Sequence, residues 1–274
     1  MAEPAAPSCQ EEAKRASICS HMGNPGRDVI AASLLLISAA LTACGTKPAS
    51  SRGTAPVLLF TGTGASPNDV AAIETILESS HLSYSIVNSF QLNGMTESQI
   101  SGYRLLIVPG GNFVDMGNSL TAGTTANVRN AVKSGVNYLG ICAGGFLAGS
   151  LPAPYKSFDL SAGVKFGFYS AEKNGTRKAV VRITTAQGPA LDHYWEDGPR
   201  LTGWGQVVGT YPDGTPAIVE GSVGRGWAIL SGVHAEAPAS WRRGMAFNTP
   251  VSADTAYART LIVAALNRAT LPHY

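Results

Sequence analysis

Three short segments carry residue types that could do chemistry together. The first is Gly140-Ile141-Cys142-Ala143-Gly144-Gly145, which closes an apolar run and precedes a helix-like stretch, Phe146–Ser150. A sharp strand-to-helix turn exposes its central side chain, and a helix N-terminus favours thiolate over thiol. The second is Gly232-Val233-His234-Ala235-Glu236, again just past an apolar run, Ala228–Ser231. A histidine two residues before a glutamate can offer one ring nitrogen to a thiol and the other to the carboxylate, the nucleophile–base–orienter arrangement of a triad. The third is Val108-Pro109-Gly110-Gly111, whose bare backbone amides could bind an oxyanion. Cys142 alone has a second reading as a small buried hydrophobe.

The elements around these segments must bring them to one edge. Short apolar runs at Val57–Phe60, Ser83–Val87, Arg104–Val108 and Val136–Ile141 alternate with helical stretches at Ser66–Ser79, Thr96–Tyr103 and Ala126–Ser134. That alternation predicts parallel βαβ units in a three-layer α/β/α sandwich, flavodoxin-like in character, with ligands at the carboxyl ends of the strands. Beyond Ser150 the texture changes. Strands are expected at Val164–Tyr169, Ala179–Thr184 and Gln206–Tyr211. A hairpin is expected across Thr215–Glu220 and Trp227–Ser231, and a closing helix at Ala253–Ala269. This makes an antiparallel extension of one domain spanning residues 56–274.

The chain has 274 residues, 45% hydrophobic and 14% charged, with a formal net charge of +2. Such a composition supports a large core, and the absence of basic blocks argues against a nucleic-acid binder. No cofactor motif, CxxC pair or Cys/His metal spacing is present, so neither a metal nor a cofactor is expected.

Residues 29–43 form a fifteen-residue apolar run, VIAASLLLISAALTA. It is short for a transmembrane helix and suits a signal-peptide core. It ends in Leu41-Thr42-Ala43-Cys44-Gly45, which resembles the bacterial lipobox. That resemblance implies a signal peptide over residues 1–43 (Met22 being a plausible start), lipid modification of Cys44 and a flexible tether over residues 44–55. The expected location is the bacterial cell envelope, with the domain outside the cytoplasm and the membrane engaged through the lipid anchor.

From Val57 to Glu236 the chain resembles the class I glutamine amidotransferase-like superfamily. Within it, the chain is most similar to the N-terminal domain of biotin–protein ligases and its stand-alone bacterial relatives. The resemblance rests on Gly62-Thr63-Gly64, Pro109-Gly110-Gly111, Gly140–Gly145, Pro216-Ala217-Ile218-Val219, Val223-Gly224-Arg225-Gly226 and His234-Ala235-Glu236. It implies Cys142 as nucleophile, His234 as base and Glu236 as orienter, with oxyanion-hole amides from Gly111 and Ala143. Phe146 stands where glutamine amidotransferases usually carry glutamine, and Ala235 where they carry proline, which argues against glutamine hydrolysis. Only 38 residues follow Glu236, too few for a ligase catalytic domain.

The expected activity is therefore cysteine-dependent amide hydrolysis or acyl transfer on a small molecule or peptide. Two other readings stand: a non-catalytic ligand-binding lipoprotein, and a thiol-based redox or stress protein. Asn112, Tyr194 and Trp195 are further candidates for the substrate cleft. The segment Asp192–Pro199 that holds the last two is expected to be a surface turn with an aromatic anchor.

Overall fold

The computed structural model describes residues 55–170 and 177–274. The expected signal peptide, Cys44 and most of the tether lie outside the described residues. Among the described residues, no helix is long and apolar enough to cross a membrane.

The first half reads β1 (Val57–Phe60), α1 (Pro67–Ser79), β2 (Tyr84–Val87), α2 (Ser89–Asn93), α3 (Glu97–Ile100), β3 (Leu105–Val108), α4 (Phe113–Asn118), α5 (Ala122–Ser134), β4 (Asn137–Ile141) and α6 (Ala143–Ala148). The second half reads β5 (Gly167–Phe168), β6 (Lys178–Thr185), β7 (Leu191–Glu196), β8 (Pro199–Arg200), β9 (Gln206–Thr210), β10 (Pro216–Val223), β11 (Gly226–Ser231) and α7 (Val251–Asn267). Nine strands form one sheet in the order β2-β1-β3-β4-β11-β10-β9-β6-β7. Pairing is parallel from β2 to β11 and antiparallel from β11 to β7, so the expected α/β/α sandwich with an antiparallel extension is what forms.

The layers follow from strand period two. Leu59, Ile107 and Leu139 face Ile73, Ile76 and Leu77 of α1 and Leu261 and Ile262 of α7. Their alternating neighbours Leu58, Phe60, Leu106, Val108 and Tyr138 face Leu92, Met116, Val128, Val132 and Leu147 on α2 and α4–α6. Both faces of the central strands are covered, which explains their unbroken apolar runs.

Local chemistry sets the helix ends near the cleft. Ser66 caps α1 through its hydroxyl, with Pro67 at the first helical position. Asn112 caps α4, accepting from Val114 N and Asp115 N. α6 begins directly after Cys142, earlier than the sequence suggests, and Gly144 lets it lie close on β3. A Cβ at Gly144 would fall 2.1 Å from Val108 O.

The sequence reading fails most clearly at β7. Asp192, His193, Tyr194 and Trp195 are all buried in a strand, not exposed in a surface turn. Polar residues on both sides hide the pattern, and later residues pack against them. Asp192 accepts from Asn248 N and Nδ2, and its own N–H donates to Thr249 Oγ1. His193 lies 3.4 Å from Asp254 Oδ2 and stacks on Tyr257. The strand expected at Val164–Tyr169 shrinks to Gly167–Phe168, paired only with β8.

Candidate functional site

The carboxyl ends of β1, β3, β4 and β11 open into a cleft of about 690 Å³. Each strand contributes through the segment that follows it. After β1 come Ser66 and Asp69, after β3 Gly111 and Asn112, after β4 Cys142 and Ala143, and after β11 His234. Phe113, Phe146 and Phe168 make an aromatic wall, with Phe113 and Phe146 stacked at 4.5 Å. β7 and the segment after β11 close the other side with Tyr194, Glu196 and Trp241.

His234 is the most constrained group. Its backbone N–H donates to Tyr194 O, and the rings of Tyr194 and Trp241 stand 5.8 and 5.7 Å from it. Nδ1 lies 2.7 Å from Glu236 Oε1 and 3.0 Å from Asp69 Oδ1. With both carboxylates ionised, Nδ1 carries the hydrogen of these contacts. It is aligned on Glu236, while Asp69 Oδ1 makes an ion pair without an aligned hydrogen bond. Burial opposes charge on His234, yet Asp69, Glu236 and Cys142 together hold its pKa well above the usual imidazole value. Burial also opposes ionisation of Asp69, but His234 outweighs it and the pKa falls. At Glu236 burial prevails and the pKa rises.

Asp69 is the partner that sequence reasoning misses. It occupies the third position of α1, where an acid is already explained by the helix dipole. Only the fold carries it to His234, and Gly110 leaves room for the meeting. A Cβ on Gly110 would lie 2.5 Å from Asp69 Oδ1 and 2.6 Å from His234 Cε1.

This arrangement overturns the cysteine mechanism. Cys142 does occupy the turn, with φ +49° and ψ −102°, a backbone that L-residues rarely adopt. Its Sγ, however, donates to Glu196 O at 3.4 Å, and the buried cluster is Asp69–His234–Glu236 rather than Cys142–His234–Glu236. The expected Cys-His-Glu hydrolase or acyl transferase is thereby corrected, and with it the role of Cys142 as nucleophile. The physical reason is that the second carboxylate, arriving from α1, completes a histidine-centred charge cluster without using sulfur.

The remaining predicted residues divide. Asn112 and Tyr194 line the cleft, as do Gly111 and Ala143. Trp195 points to the other side of β7, where it is 2% exposed and packs edge-on against Tyr169. Strand alternation puts neighbours on opposite faces, so only one of Tyr194 and Trp195 can reach the cleft. Glu196, from the same Asp192–Pro199 segment, and Trp241, unnoticed in the sequence, also reach it. Glu196 accepts from Tyr194 Oη at 2.6 Å and pairs with Lys178 at 3.1 Å.

The donor atoms of Asp69, His234 and Glu236 lie within 4.8 Å of one another, the kind of set that can hold a divalent cation. The same three groups form a buried acid–base cluster.

Comparisons with known proteins agree with this fold. A family model described as biotin-protein ligase, N terminal, matches residues 55–164. An uncharacterized protein of Chlamydia muridarum (strain MoPn / Nigg) is 29% identical over 157 residues, covering 48% of this chain. The match spans 60% of that relative's own length. A solved glutamine amidotransferase superposes with TM-score 0.54 at 17% identity, over 77% of this chain and 98% of its own. PurLQS from Thermotoga maritima gives 0.50 at 16% identity, over 77% and 99%. Gan42B, a GH42 β-galactosidase, gives 0.50 at 14% identity, but over 30% of its own length against 80% of this chain. The fold is that of the class I glutamine amidotransferase-like domains, related to the N-terminal part of biotin–protein ligases.

Proposed function

We propose that residues 56–274 are the ligand-binding domain of an exported protein anchored by lipid on Cys44, and that its cleft recognises a small molecule or peptide through a carboxylate. The observation that carries this is the state of His234. Two buried carboxylates hold its Nδ1, and it lines the cleft, so Nε2 is the ring donor left for a ligand. A charged donor of this kind makes a strong hydrogen bond to an anionic oxygen. In this reading the Gly111 and Ala143 amides bind the same carboxylate, and Asn112 and Tyr194 flank it. The wall of Phe113, Phe146 and Phe168 takes the apolar part of the ligand. Cys142 is a contact residue. The signal-peptide length and the Leu41–Gly45 pattern support the anchor.

Short peptides ending in a free carboxylate or in an amide, titrated by the fluorescence of the full chain, test the reading. The free acid should bind at least about tenfold more tightly than the amide, a difference of about 1.4 kcal/mol. His234→Gln should abolish the preference. The imidazolium is present below the raised His234 pKa, so affinity should hold at neutral pH and fall as pH rises through that value. Equal binding of acid and amide, or a preference that survives His234→Gln, would sink the proposal.

A further inference from the structure

A second hollow, of about 420 Å³, lies at the opposite end of the sheet, where the parallel strands begin. Tyr103, Arg104, Ser134, Asn137, Asn267 and Arg268 line it. The helices α5 and α7 both end here, and their last carbonyls would make the place negative. Arginines reverse that. Arg104 Nη2 donates to Leu266 O and Asn267 Oδ1, and Arg225 donates through Nε and Nη2 to Ser134 O. Arg268 Nη1 donates to Arg225 O. A guanidinium has five N–H groups, so each is oriented by the backbone with donors to spare. Lys133 is exposed one residue before Ser134. On the acidic side, Glu97 reaches Ser134 Oγ at 3.5 Å, and Glu78 stands at the end of α1. The β3–β4–β11 side keeps its excess of cations.

The preceding chain joins the domain at this same end. Pro56 O accepts from Arg104 N and Leu105 N, so the tether enters beside the hollow. We infer that this hollow seats the headgroup of an anionic phospholipid, holding the domain down on the membrane with the ligand cleft facing away. The inference rests on the anchor reading above. Cys44 lies twelve positions before Pro56. Fully extended, that length of chain reaches at most about 40 Å. A lipid on Cys44 therefore keeps this face within reach of headgroups, at an effective concentration that makes a modest intrinsic affinity sufficient. A free phosphate metabolite would have no such advantage.

The test uses the full chain in vesicles of phosphatidylcholine, alone or with phosphatidylglycerol, followed by amide hydrogen exchange. With phosphatidylglycerol, exchange should slow at residues 101–104, 134–137 and 266–269. Each arginine near an anionic surface shifts the docked-to-free ratio about fivefold, so Arg104→Ala with Arg268→Ala should lower it about 25-fold. The pair Arg104→Lys with Arg268→Lys should keep most of the protection, which separates lost charge from lost folding. Equal exchange in the two vesicle types overturns the inference. The same protection from glycerol 3-phosphate with neutral vesicles also overturns it, in favour of a free phosphate ligand. The mass of the mature chain reads Cys44 lipidation independently. A lipidated chain without phosphatidylglycerol-dependent protection refutes docking alone, and an unlipidated chain with that protection refutes the anchor alone.

Discussion

Replacing Gly110 by alanine tests whether close approach at β3 holds the charge cluster together. The added Cβ would stand 2.5 Å from Asp69 Oδ1 and 2.6 Å from His234 Cε1, both closer than real Cβ contacts allow. His234 cannot give way easily, being fixed by Glu236 and by its backbone bond to Tyr194 O at 2.8 Å. Asp69 is the end of a rotatable side chain on α1, so it is the group that moves. Its carboxylate is 94% buried and would lose its ion pair. Breaking a buried pair costs about 3–5 kcal/mol when a charge is left uncompensated. Glu236 still serves His234, so the lower half of that range is expected, roughly 3 kcal/mol. For a domain of this size that lowers the melting temperature by about 6–12 °C.

Urea unfolding of Gly110→Ala, Asp69→Ala and the double variant measures it. Removing Asp69 removes one of the two clashes, so the double variant should be more stable than the sum of the single effects, by at least about 1 kcal/mol. Strict additivity, or a cost below about 1 kcal/mol for Gly110→Ala, would refute the argument that Gly110 is required by the Asp69–His234 pair.

Two further outcomes follow from buried or strained groups. At Cys142 the φ of +49° strains any residue with a Cβ, at about 1–3 kcal/mol. Cys142→Gly should therefore be more stable than Cys142→Ala in urea unfolding, and the opposite ranking would show that the backbone relaxes there. Arg242 is held by Asp254 and by Thr249 O, and Asp254 is fully buried. Arg242→Met should cost about 3–5 kcal/mol by chemical denaturation, while Arg242→Met with Asp254→Leu should recover most of it. Equal losses would mean that the pair's charge is not what matters.

Much of the architecture is legible in the residues. Val57–Phe60 and the helix from Ser66-Pro67 to Ser79 occur as the apolar run and the Ser-Pro cap require. The turn at Gly224-Arg225 joins β10 and β11 as the glycine pattern requires. These are local signals, complete within a few residues. β7 is not legible, because Asp192 and His193 are buried only by partners some 56 and 61 positions later, Asn248 and Asp254. Composition reports polarity, and it cannot report that the polarity will be met inside.

The site divides the same way. The sequence alone determines that Cys142, His234, Glu236 and the Gly110-Gly111 turn follow apolar strands, and parallel strands deliver their carboxyl ends to one edge. His234 and Glu236 are two residues apart, so their pairing at 2.7 Å needs little beyond a loop. Asp69 lies 165 positions before His234, on another element, and only the order of β1, β3, β4 and β11 brings them within 3.0 Å. Which carboxylates reach His234, and that Cys142 donates elsewhere, are distances between segments remote in the chain. Those distances set the charge of His234, and the tertiary structure alone decides them.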